Sequence, residues 1–284
     1  MRIKKYLKRV FNYLFHGIPT TIVNAQIISM PPSQLLDGKT ALVTGGTGGI
    51  GKAIATAFLK AGASVIITGR SRERIDKAIE DIRNATNSHA IIGIVIDNLN
   101  VDSINSAMDS LLKTNKIDIL VNNAGINGGS LSSCTEKEYQ EVMDTNLKGT
   151  VFITRRIFQH MIDLKCQGNI LNICSSSSLR PATTAYTLSK WGMRGYTVGL
   201  AKQLIKHGIV VNGLAPGPTA TPMLVKDGSN NLSLPNNPSQ RFSAPEEIAN
   251  MAVVLTSGIG RMIVGDIVYM TGGAGVITVD DINY

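Results

Sequence analysis

Short apolar runs alternate with helical segments from Lys39 onward, and this alternation constrains the fold more than any other feature. Strands covered on both faces read as nearly continuous β-branched runs, and strands separated by helices pair in parallel. The pattern therefore predicts an α/β fold, a doubly wound seven-stranded parallel sheet with helices on both faces. The predicted strands are Thr40–Thr44, Ser64–Thr68, Ile91–Ile96, Ile117–Val121, Asn169–Ile173, Ile209–Leu214 and Ile267–Met270. The clearest predicted helices are Ile50–Ala61, Arg72–Asn84, Tyr139–Leu164, Thr184–His207 and Pro245–Thr256.

The composition is that of a globular protein, with 43% hydrophobic and 17% charged residues. No run of about eighteen apolar residues is present, so we expect no membrane-spanning helix. The cysteines Cys134, Cys166 and Cys174 show no paired spacing, which favours a reducing cytoplasm over a disulfide framework. The four histidines have no metal-ligand spacing, so we expect no metal site.

The N-terminus differs from the rest of the chain. We predict a basic amphipathic extension over residues 1–36, followed by one domain over residues 37–284. Five of the eight excess positive charges lie in the first nine residues, so a nucleic-acid-binding surface over the whole protein is not expected. Apolar residues recur between them at helical spacing. Two interpretations stay open: peripheral membrane contact through residues 1–32, or a helix that docks on the protein body or on another subunit.

A glycine-rich turn, Thr44-Gly45-Gly46-Thr47-Gly48-Gly49-Ile50-Gly51, follows the first predicted strand and opens the first predicted helix. Without Cβ atoms the backbone can turn tightly and approach a pyrophosphate at the helix N-terminus. Glycine-rich loops are common, but the strand–turn–helix setting favours a Rossmann-type dinucleotide site. The candidate cofactor contacts in this turn are Gly45, Thr47, Gly49, Ile50 and Gly51.

The end of the second predicted strand bears on the choice of cofactor. An NAD-binding loop usually carries an acidic residue there, whereas this chain has Gly69 followed by Arg70. A guanidinium can pair with a 2′-phosphate. We therefore predict a preference for NADP(H), with NAD(H) as the alternative. The competing interpretation is that Arg70 is only a solvated loop residue.

Tyr186 and Lys190 form a candidate acid–base pair. Four residues apart on a predicted helix, they share one face, where the ammonium would favour the phenolate. An ordinary Tyr titrates near pH ~10, so proton exchange at neutral pH needs such a neighbour. The spacing alone also fits a surface pair. A serine cluster, Ser175 to Ser178, lies just upstream.

Taken together, these motifs resemble those of the short-chain dehydrogenase/reductase family from about Leu36 to Gly273. Asn122-Asn123-Ala124-Gly125, Asn146 and Pro216-Gly217 stand in the expected order among them. The resemblance implies that Asp97 contacts the adenine. It also implies that Asn123, Ala124 and Gly125 support the cofactor and the central strand. By the same resemblance, Pro216, Gly217, Thr219 and Thr221 would hold the nicotinamide.

The resemblance further implies hydride transfer with four catalytic residues, Asn146, Ser175, Tyr186 and Lys190. Tyr186 would exchange a proton with the substrate oxygen, and Ser175 would polarise the carbonyl. Lys190 would lower the pKa of Tyr186 and bind the nicotinamide ribose, and Asn146 would hold a water that connects Lys190 to solvent. Ser175 lies eleven residues before Tyr186, closer than is usual in the family, so Ser176 stays the alternative.

Three neighbours of these residues are given structural roles. Cys174 is expected to fill space in the core rather than to act as a nucleophile. Trp191 and Met193 are expected in the core, with the wall of the substrate pocket as the alternative. In Met270-Thr271-Gly272-Gly273, where the family commonly has Asp before the glycines, Thr271 is interpreted as a structural change.

The substrate is less constrained. The favoured prediction is an NADPH-dependent 3-oxoacyl-thioester reductase, with an acyl-carrier protein as a candidate partner. A sugar, polyol or small-ketone dehydrogenase is the alternative, and a non-catalytic nucleotide-binding protein is the remote one. Thr221–Ser243 is predicted to be a mobile loop over the substrate. The resemblance also implies a homodimer or homotetramer, packed through the Tyr139–Leu164 and Thr184–His207 helices and the C-terminal strand region.

Overall fold

The computed structural model describes residues 11, 34–221, 223 and 231–277. Most of the predicted N-terminal extension and part of the predicted substrate loop therefore lie outside the described residues. The described chain forms one seven-stranded sheet of order β3-β2-β1-β4-β5-β6-β7, in which every neighbouring pair is parallel. The strands are β1 (Thr40–Val43), β2 (Ser64–Gly69), β3 (Ile91–Val95), β4 (Ile119–Asn122), β5 (Asn169–Ile173), β6 (Val210–Pro216) and β7 (Ile267–Met270).

Seven α-helices are described beside this sheet. They are α1 (Gly49–Lys60), α2 (Arg72–Thr86), α3 (Val101–Leu111), α4 (Glu136–Met143), α5 (Gly149–Asp163), α6 (Ala185–Leu204) and α7 (Pro245–Thr256). Side chains fix several of their first turns. Ser71 accepts a hydrogen bond at the start of α2, and Asn100 does so at the start of α3. Thr135 and Glu138 form a capping box on α4.

The alternation of side chains along each strand creates a core on either face of the sheet. In β1, Val43 belongs to the core covered by α1, α2 and α7, whereas Leu42 belongs to the core covered by α3, α5 and α6. In β4, Val121 and Leu120 divide in the same way. The predicted doubly wound sheet with helices on both faces is thus confirmed.

Two predicted helices differ in detail from the structure. The segment predicted as one helix, Tyr139–Leu164, consists of α4, a π-helical turn at Asp144–Lys148, and α5. The predicted Thr184–His207 helix consists of α6 and a final 3₁₀ turn, Ile205–His207. Helix α3 was not among the clearest predicted helices, although its buried Ile104, Met108 and Leu111 recur at helical spacing.

The sheet order locates the candidate site. Successive strands run outward from β1 in both directions, so the chain reverses direction across the sheet between β1 and β4. Ligands of open parallel sheets bind outside the carboxyl ends of the strands at such a point. The glycine-rich turn follows β1, Asn123 follows β4, and Ser175 follows β5 one residue after Cys174. In the described part of the chain, no helix combines the length and apolar character needed to cross a membrane.

Candidate active site

The glycine-rich turn is folded so tightly that side chains are excluded at two of its positions. Gly45 has a φ of +65°, and a Cβ on it would lie 2.9 Å from the Cα of Ala124. A Cβ on Gly51 would lie less than 3.0 Å from both the carbonyl oxygen of Gly45 and the Nδ2 atom of Asn123. The turn therefore packs directly against the segment that follows β4.

Hydrogen bonds lock these two segments together. The Oγ1 atom of Thr44 accepts from the backbone N–H groups of Asn123 at 2.9 Å and of Ala124 at 3.1 Å. The Nδ2 group of Asn123 donates to the carbonyl oxygens of Thr44 at 3.0 Å and of Gly45 at 3.1 Å. The sequence predicted a supporting role for Asn123 and Ala124 but assigned no contact to Thr44, which it placed at the strand end and at the start of the glycine-rich motif. The sequence feature that could have indicated the role of Thr44 is a hydroxyl side chain directly before the first glycine of the turn.

The helix that begins in this turn suits a phosphate group. Gly48 is its N-cap, and no side chain among the described residues caps the first turn, which contains no acidic residue. A Cβ on Gly48 would have no neighbour within 4 Å among the described atoms. Among the described residues, the N-terminus of α1 is thus left without a side-chain cap beside open space at Gly48, and the helix dipole there favours an anion. Gly49 lies opposite Thr221, whose Cγ2 would be 3.3 Å from a Cβ on Gly49.

Thr47, Arg70 and Asp97 follow the ends of β1, β2 and β3. The Cγ2 atom of Thr47 lies close to Gly69. A Cβ added to Gly69 would be only 2.7 Å from it. Arg70 is exposed and forms no hydrogen bond or ion pair with the part of the chain that the structure describes. Asp97 is half-buried, and its Oδ1 atom accepts a hydrogen bond from the N–H of Leu99. Ile50 is also half-buried and packs against the core.

The segment after β6 is held at the same edge of the sheet. The N–H of Gly217 donates to the carbonyl oxygen of Met270 at 2.9 Å. Thr219 is buried, and its hydroxyl donates to the carbonyl oxygen of Gly217 at 3.0 Å. The N–H of Thr221 in turn donates to the carbonyl oxygen of Thr219. These bonds tie the segment to the end of β7, and its Thr221 lies against Gly49 of the glycine-rich turn.

Part of the predicted substrate loop is tied to the end of β7. Asn237 donates through Nδ2 to the carbonyl oxygen of Thr271, and the N–H of Ser239 donates to the carbonyl oxygen of Gly272. Thr271 is buried, and its hydroxyl oxygen accepts from the N–H of Gly273. This supports the structural interpretation of Thr271. Residues 222 and 224–230, which the predicted loop includes, lie outside the described residues.

Helix α6 carries Tyr186 and Lys190 on one face. Its N-cap, Thr184, accepts a hydrogen bond from the N–H of Thr187, which sets where the helix begins. The Nζ atom of Lys190 lies 5.6 Å from the centre of the Tyr186 ring. Lys190 is buried, and its ammonium donates to the carbonyl oxygen of Ile173 at 2.8 Å. An ammonium has three donors, so two remain for the site.

Ser175 lies at the end of β5, in the turn that precedes α6. It is 7% exposed, and its Oγ atom accepts a hydrogen bond from the N–H of Ser177 at 3.1 Å. The bond fixes the oxygen and leaves the hydroxyl proton available for donation. Ser176, the alternative, is buried and begins a 3₁₀ turn, Ser176–Leu179. The choice between Ser175 and Ser176 stays a prediction.

Asn146 connects the segment after β4 with the helix that carries Tyr186. Its Oδ1 atom accepts from the N–H of Ile126 at 2.8 Å, and its Nδ2 group donates to the Ile126 carbonyl at 2.9 Å. The same Nδ2 group donates to Ser189 Oγ at 3.0 Å, and the Ser189 hydroxyl donates to the Tyr186 carbonyl. Asn146 lies in the π-helical turn, and Gly125 packs against its side chain. The water predicted to lie between Asn146 and Lys190 stays a prediction.

The residues next to the catalytic candidates have distinct environments. Cys174 is 2% exposed and packs with Met193 and Ala215, and burial raises the pKa of its thiol. The assignments of Cys174 and Met193 to the core therefore agree with the structure. The assignment of Trp191 was wrong, because its side chain is 40% exposed and its indole N–H donates to the carbonyl oxygen of Arg180.

Fold and site together define a class of protein. A glycine-rich turn at the reversal point of a doubly wound sheet suits a dinucleotide, and a tyrosine–lysine pair beside it can exchange a proton with a carbonyl or an alcohol. This combination is that of a dinucleotide-dependent oxidoreductase. The family model for short chain dehydrogenases matches residues 39–232. The chain therefore belongs to the short-chain dehydrogenase/reductase family, NAD(P)-dependent oxidoreductases that act on alcohol and carbonyl groups.

Individual relatives agree with this assignment. The chain is 36% identical over 244 residues to the 3-oxoacyl-[acyl-carrier-protein] reductase FabG of Aquifex aeolicus, covering 84% of this chain and 98% of that protein.

Two solved structures are similarly close. One is described as an NAD(P)-dependent gluconate 5-dehydrogenase from Beutenbergia cavernae, solved with NADP at low occupancy. It has 29% identity and a TM-score of 0.76 over 86% of this chain and 98% of that one. The other is a 3-ketoacyl-(acyl-carrier-protein) reductase from Brucella melitensis complexed with NADH, with 28% identity and a TM-score of 0.77 over 85% and 100% of the two chains.

Proposed function

We propose that this enzyme is an NADPH-dependent reductase that converts a ketone into a secondary alcohol at a site formed by Ser175, Tyr186, Lys190 and Asn146. One observation carries the proposal. The buried ammonium of Lys190 is held by the carbonyl oxygen of Ile173, two residues before Ser175, and lies 5.6 Å from the Tyr186 ring centre. A proton donor, a cation that stabilises its phenolate and a carbonyl-orienting hydroxyl thus belong to one connected unit.

Each side chain has a defined task in the reduction. The nicotinamide supplies the hydride that adds to the carbonyl carbon. Tyr186 donates its phenolic proton to the carbonyl oxygen, and the Lys190 ammonium stabilises the phenolate that remains. The Ser175 hydroxyl donates a hydrogen bond to the same oxygen and orients it. Asn146 holds Ile126 and, through Ser189, the first turn of α6, and this keeps Tyr186 in place.

The preference for NADPH rests on Arg70. It is exposed at the end of β2, where an NAD-specific enzyme usually places a carboxylate for the ribose hydroxyls. A guanidinium there can donate to a 2′-phosphate, but it has no acceptor for the hydrogen bonds that ribose hydroxyls donate to a carboxylate. The relatives solved with NADP and with NADH support use of a nicotinamide dinucleotide, and Arg70 supports NADPH within that class.

The favoured substrate is a 3-oxoacyl thioester, carried on an acyl-carrier protein. The 36% identity to a 3-oxoacyl-[acyl-carrier-protein] reductase over nearly all of that protein supports it. An acidic carrier would be attracted by basic residues, and Lys165 before β5 and Lys206 after α6 give this partner partial support. A second candidate substrate is a sugar acid or polyol, which the similarity to a protein described as a gluconate 5-dehydrogenase supports.

The test is turnover by the purified protein. NADPH oxidation would be followed with acetoacetyl thioesters, keto-sugars and keto-sugar acids, and small diketones, for the wild type, Tyr186→Phe and the matched control Tyr139→Phe. We expect thioester turnover that Tyr186→Phe lowers by at least a hundredfold and Tyr139→Phe leaves intact. Turnover of sugars alone would replace the substrate assignment. NADPH binding without turnover of any carbonyl compound would refute the proposed function.

Further proposals concern assembly and location. We propose a homodimer or homotetramer in the cytoplasm, to be tested by light scattering at several protein concentrations.

Residues 1–32 form a basic amphipathic segment, for which there are two proposals: peripheral membrane contact, or docking on the protein body or another subunit. Co-sedimentation with anionic liposomes, using the protein with and without residues 1–32, separates the two proposals. Membrane contact predicts that the liposomes retain the protein only when the segment is present. The domain boundary at residues 36 and 37 is likewise a proposal; Leu36 itself is buried in the core.

A further inference from the structure

Helix α6 is bonded at three points to the segment around Ser175: once to the last residue of β5 and twice to the serine-bearing turn, residues 174–184, that follows. The Lys190 ammonium donates to the carbonyl oxygen of Ile173 at 2.8 Å, before Ser175. The Trp191 indole N–H donates to the carbonyl oxygen of Arg180 at 2.7 Å, and the Arg194 guanidinium donates to that of Ser178 at 3.1 Å, both after Ser175. The segment is therefore bonded on either side of the serine by the helix that carries Tyr186.

We propose that Trp191 and Arg194 are positioning residues that hold the Ser175 hydroxyl in register with Tyr186 and Lys190. The proposal rests on the proposed function, because it assumes that Ser175 and Tyr186 act on one carbonyl oxygen. Neither Trp191 nor Arg194 touches the reacting atoms. They act through the backbone of the turn.

The two side chains also restrain each other. The guanidinium of Arg194 lies over the Trp191 ring, 5.4 Å from its centre, a distance at which a cation–π contact is favourable. The contact explains why a large aromatic side chain stays on an exposed face of α6 instead of joining the core. Both members of the stacked pair, the Trp191 indole N–H and the Arg194 guanidinium, donate to carbonyl oxygens of the same turn.

The serine-bearing turn is short, and its internal hydrogen bonds do not hold it against α6. Tyr186 follows Ser175 by only eleven positions, and the turn contains just one 3₁₀ segment, Ser176–Leu179. Its internal bonds, from Ser177 N–H to Ser175 Oγ and from the Ser178 hydroxyl to the Ser175 carbonyl, fix Ser175 relative to the turn. They do not fix the turn relative to α6. The bonds from Trp191 and Arg194 do so, and a displacement of about 1 Å can cost on the order of a hundredfold in rate.

The test uses variants that remove one donor each. Trp191→Phe keeps an aromatic ring without the N–H, Arg194→Met keeps a long side chain without the guanidinium, and Arg194→Lys keeps a donor. Each would be measured for kcat and KM alone and in a Ser175→Ala background. Arg155→Met is the matched control, because Arg155 also lies over an aromatic ring, that of Phe152, on α5. Thermal unfolding and light scattering verify fold and assembly.

We expect Trp191→Phe and Arg194→Met to lower kcat about tenfold or more, with the KM for NADPH unchanged, Arg194→Lys to recover part of the loss, and Arg155→Met to resemble the wild type. In the Ser175→Ala background the same changes should cost less than about twofold, because the group they position is already missing. Trp191 is the single tryptophan of the chain, so its emission should also shift in Arg194→Met.

Losses that are additive with Ser175→Ala, or wild-type kcat in both Trp191→Phe and Arg194→Met, would overturn the positioning role. An inactive, unfolded Trp191→Phe leaves Arg194→Met and Arg194→Lys to decide. A Ser175→Ala variant with normal turnover would also overturn it, since nothing would remain to be positioned. Failure of the proposed function looks different: either the wild type turns over no carbonyl compound, or Tyr186→Phe keeps wild-type activity, and neither result depends on Trp191 or Arg194.

Discussion

The contact between Gly51 and Asn123 allows a sharp test of how the cofactor turn is built. Gly51 lies in the first turn of α1, where helix propensity alone predicts that alanine stabilises by about 1 kcal/mol. The structure predicts the opposite. An alanine Cβ there would lie less than 3.0 Å from the Gly45 carbonyl oxygen and from Asn123 Nδ2, closer than real Cβ atoms approach.

Relief of this overlap requires Asn123 to move. Its Nδ2 group donates to the carbonyl oxygens of Thr44 and Gly45, and each lost bond costs about 0.5–1.5 kcal/mol. Overpacking costs a further ~1–3 kcal/mol. After the gain in helix propensity, we expect Gly51→Ala to lower the free energy of unfolding by about 3 kcal/mol. For a domain of this size, that corresponds to a fall in Tm of roughly 6–12 °C.

The matched control is Gly48→Ala in the same turn. Gly48 has a φ of −173°, which any residue adopts, and its Cβ would meet no described atom within 4 Å. Its expected change is within about 0.5 kcal/mol. Thermal unfolding of both variants without cofactor, followed by circular dichroism, makes the comparison. A Gly51→Ala protein at least as stable as Gly48→Ala would refute the close packing of the turn.

Three further predictions concern the cofactor preference, the choice of catalytic serine, and the Arg241–Glu247 ion pair. Arg70→Ala should raise the KM for NADPH at least about tenfold and leave that for NADH unchanged in steady-state kinetics, because only the 2′-phosphate loses a partner; equal effects on both cofactors would remove Arg70 from this role. Ser175→Ala should lower kcat by about 10²–10³, and Ser176→Ala by far less; the reverse order would make Ser176 the catalytic serine. The Arg241 guanidinium lowers the pKa of Glu247 below its usual value of 4.5 through paired hydrogen bonds. A lowered carboxyl pKa stabilises the fold above the unfolded-state pKa and loses this effect as the pH falls through the folded value, so the Tm deficit of Glu247→Gln at pH ~7 should shrink below pH ~4; a deficit constant with pH would contradict it.

Much of this architecture was accessible from sequence because it depends on local patterns. The bounds of β5, β7 and α7 agree with their predictions, since each is a short apolar or capped segment between clear breaks. Contacts between residues that are distant in the sequence could not be predicted in the same way. Trp191 shows the difficulty: its size suggested the core, but the carbonyl oxygen of Arg180 and the guanidinium of Arg194 offered it partners at the surface.

Asn146 shows why motif recognition stops short of geometry. The apolar spacing on either side of it is helical, so Tyr139–Leu164 was predicted as one helix. The structure instead widens the helix into a π turn at Asp144–Lys148, and single-turn π segments often mark functional sites. The wider turn shifts the register between α4 and α5. Within it, the Asn146 side chain bonds both backbone groups of Ile126 and, through Ser189, the backbone of Tyr186. These three bonds start from the π turn and link the segment after β4 to α6, and the helical spacing of the apolar residues around Asn146 did not indicate the turn.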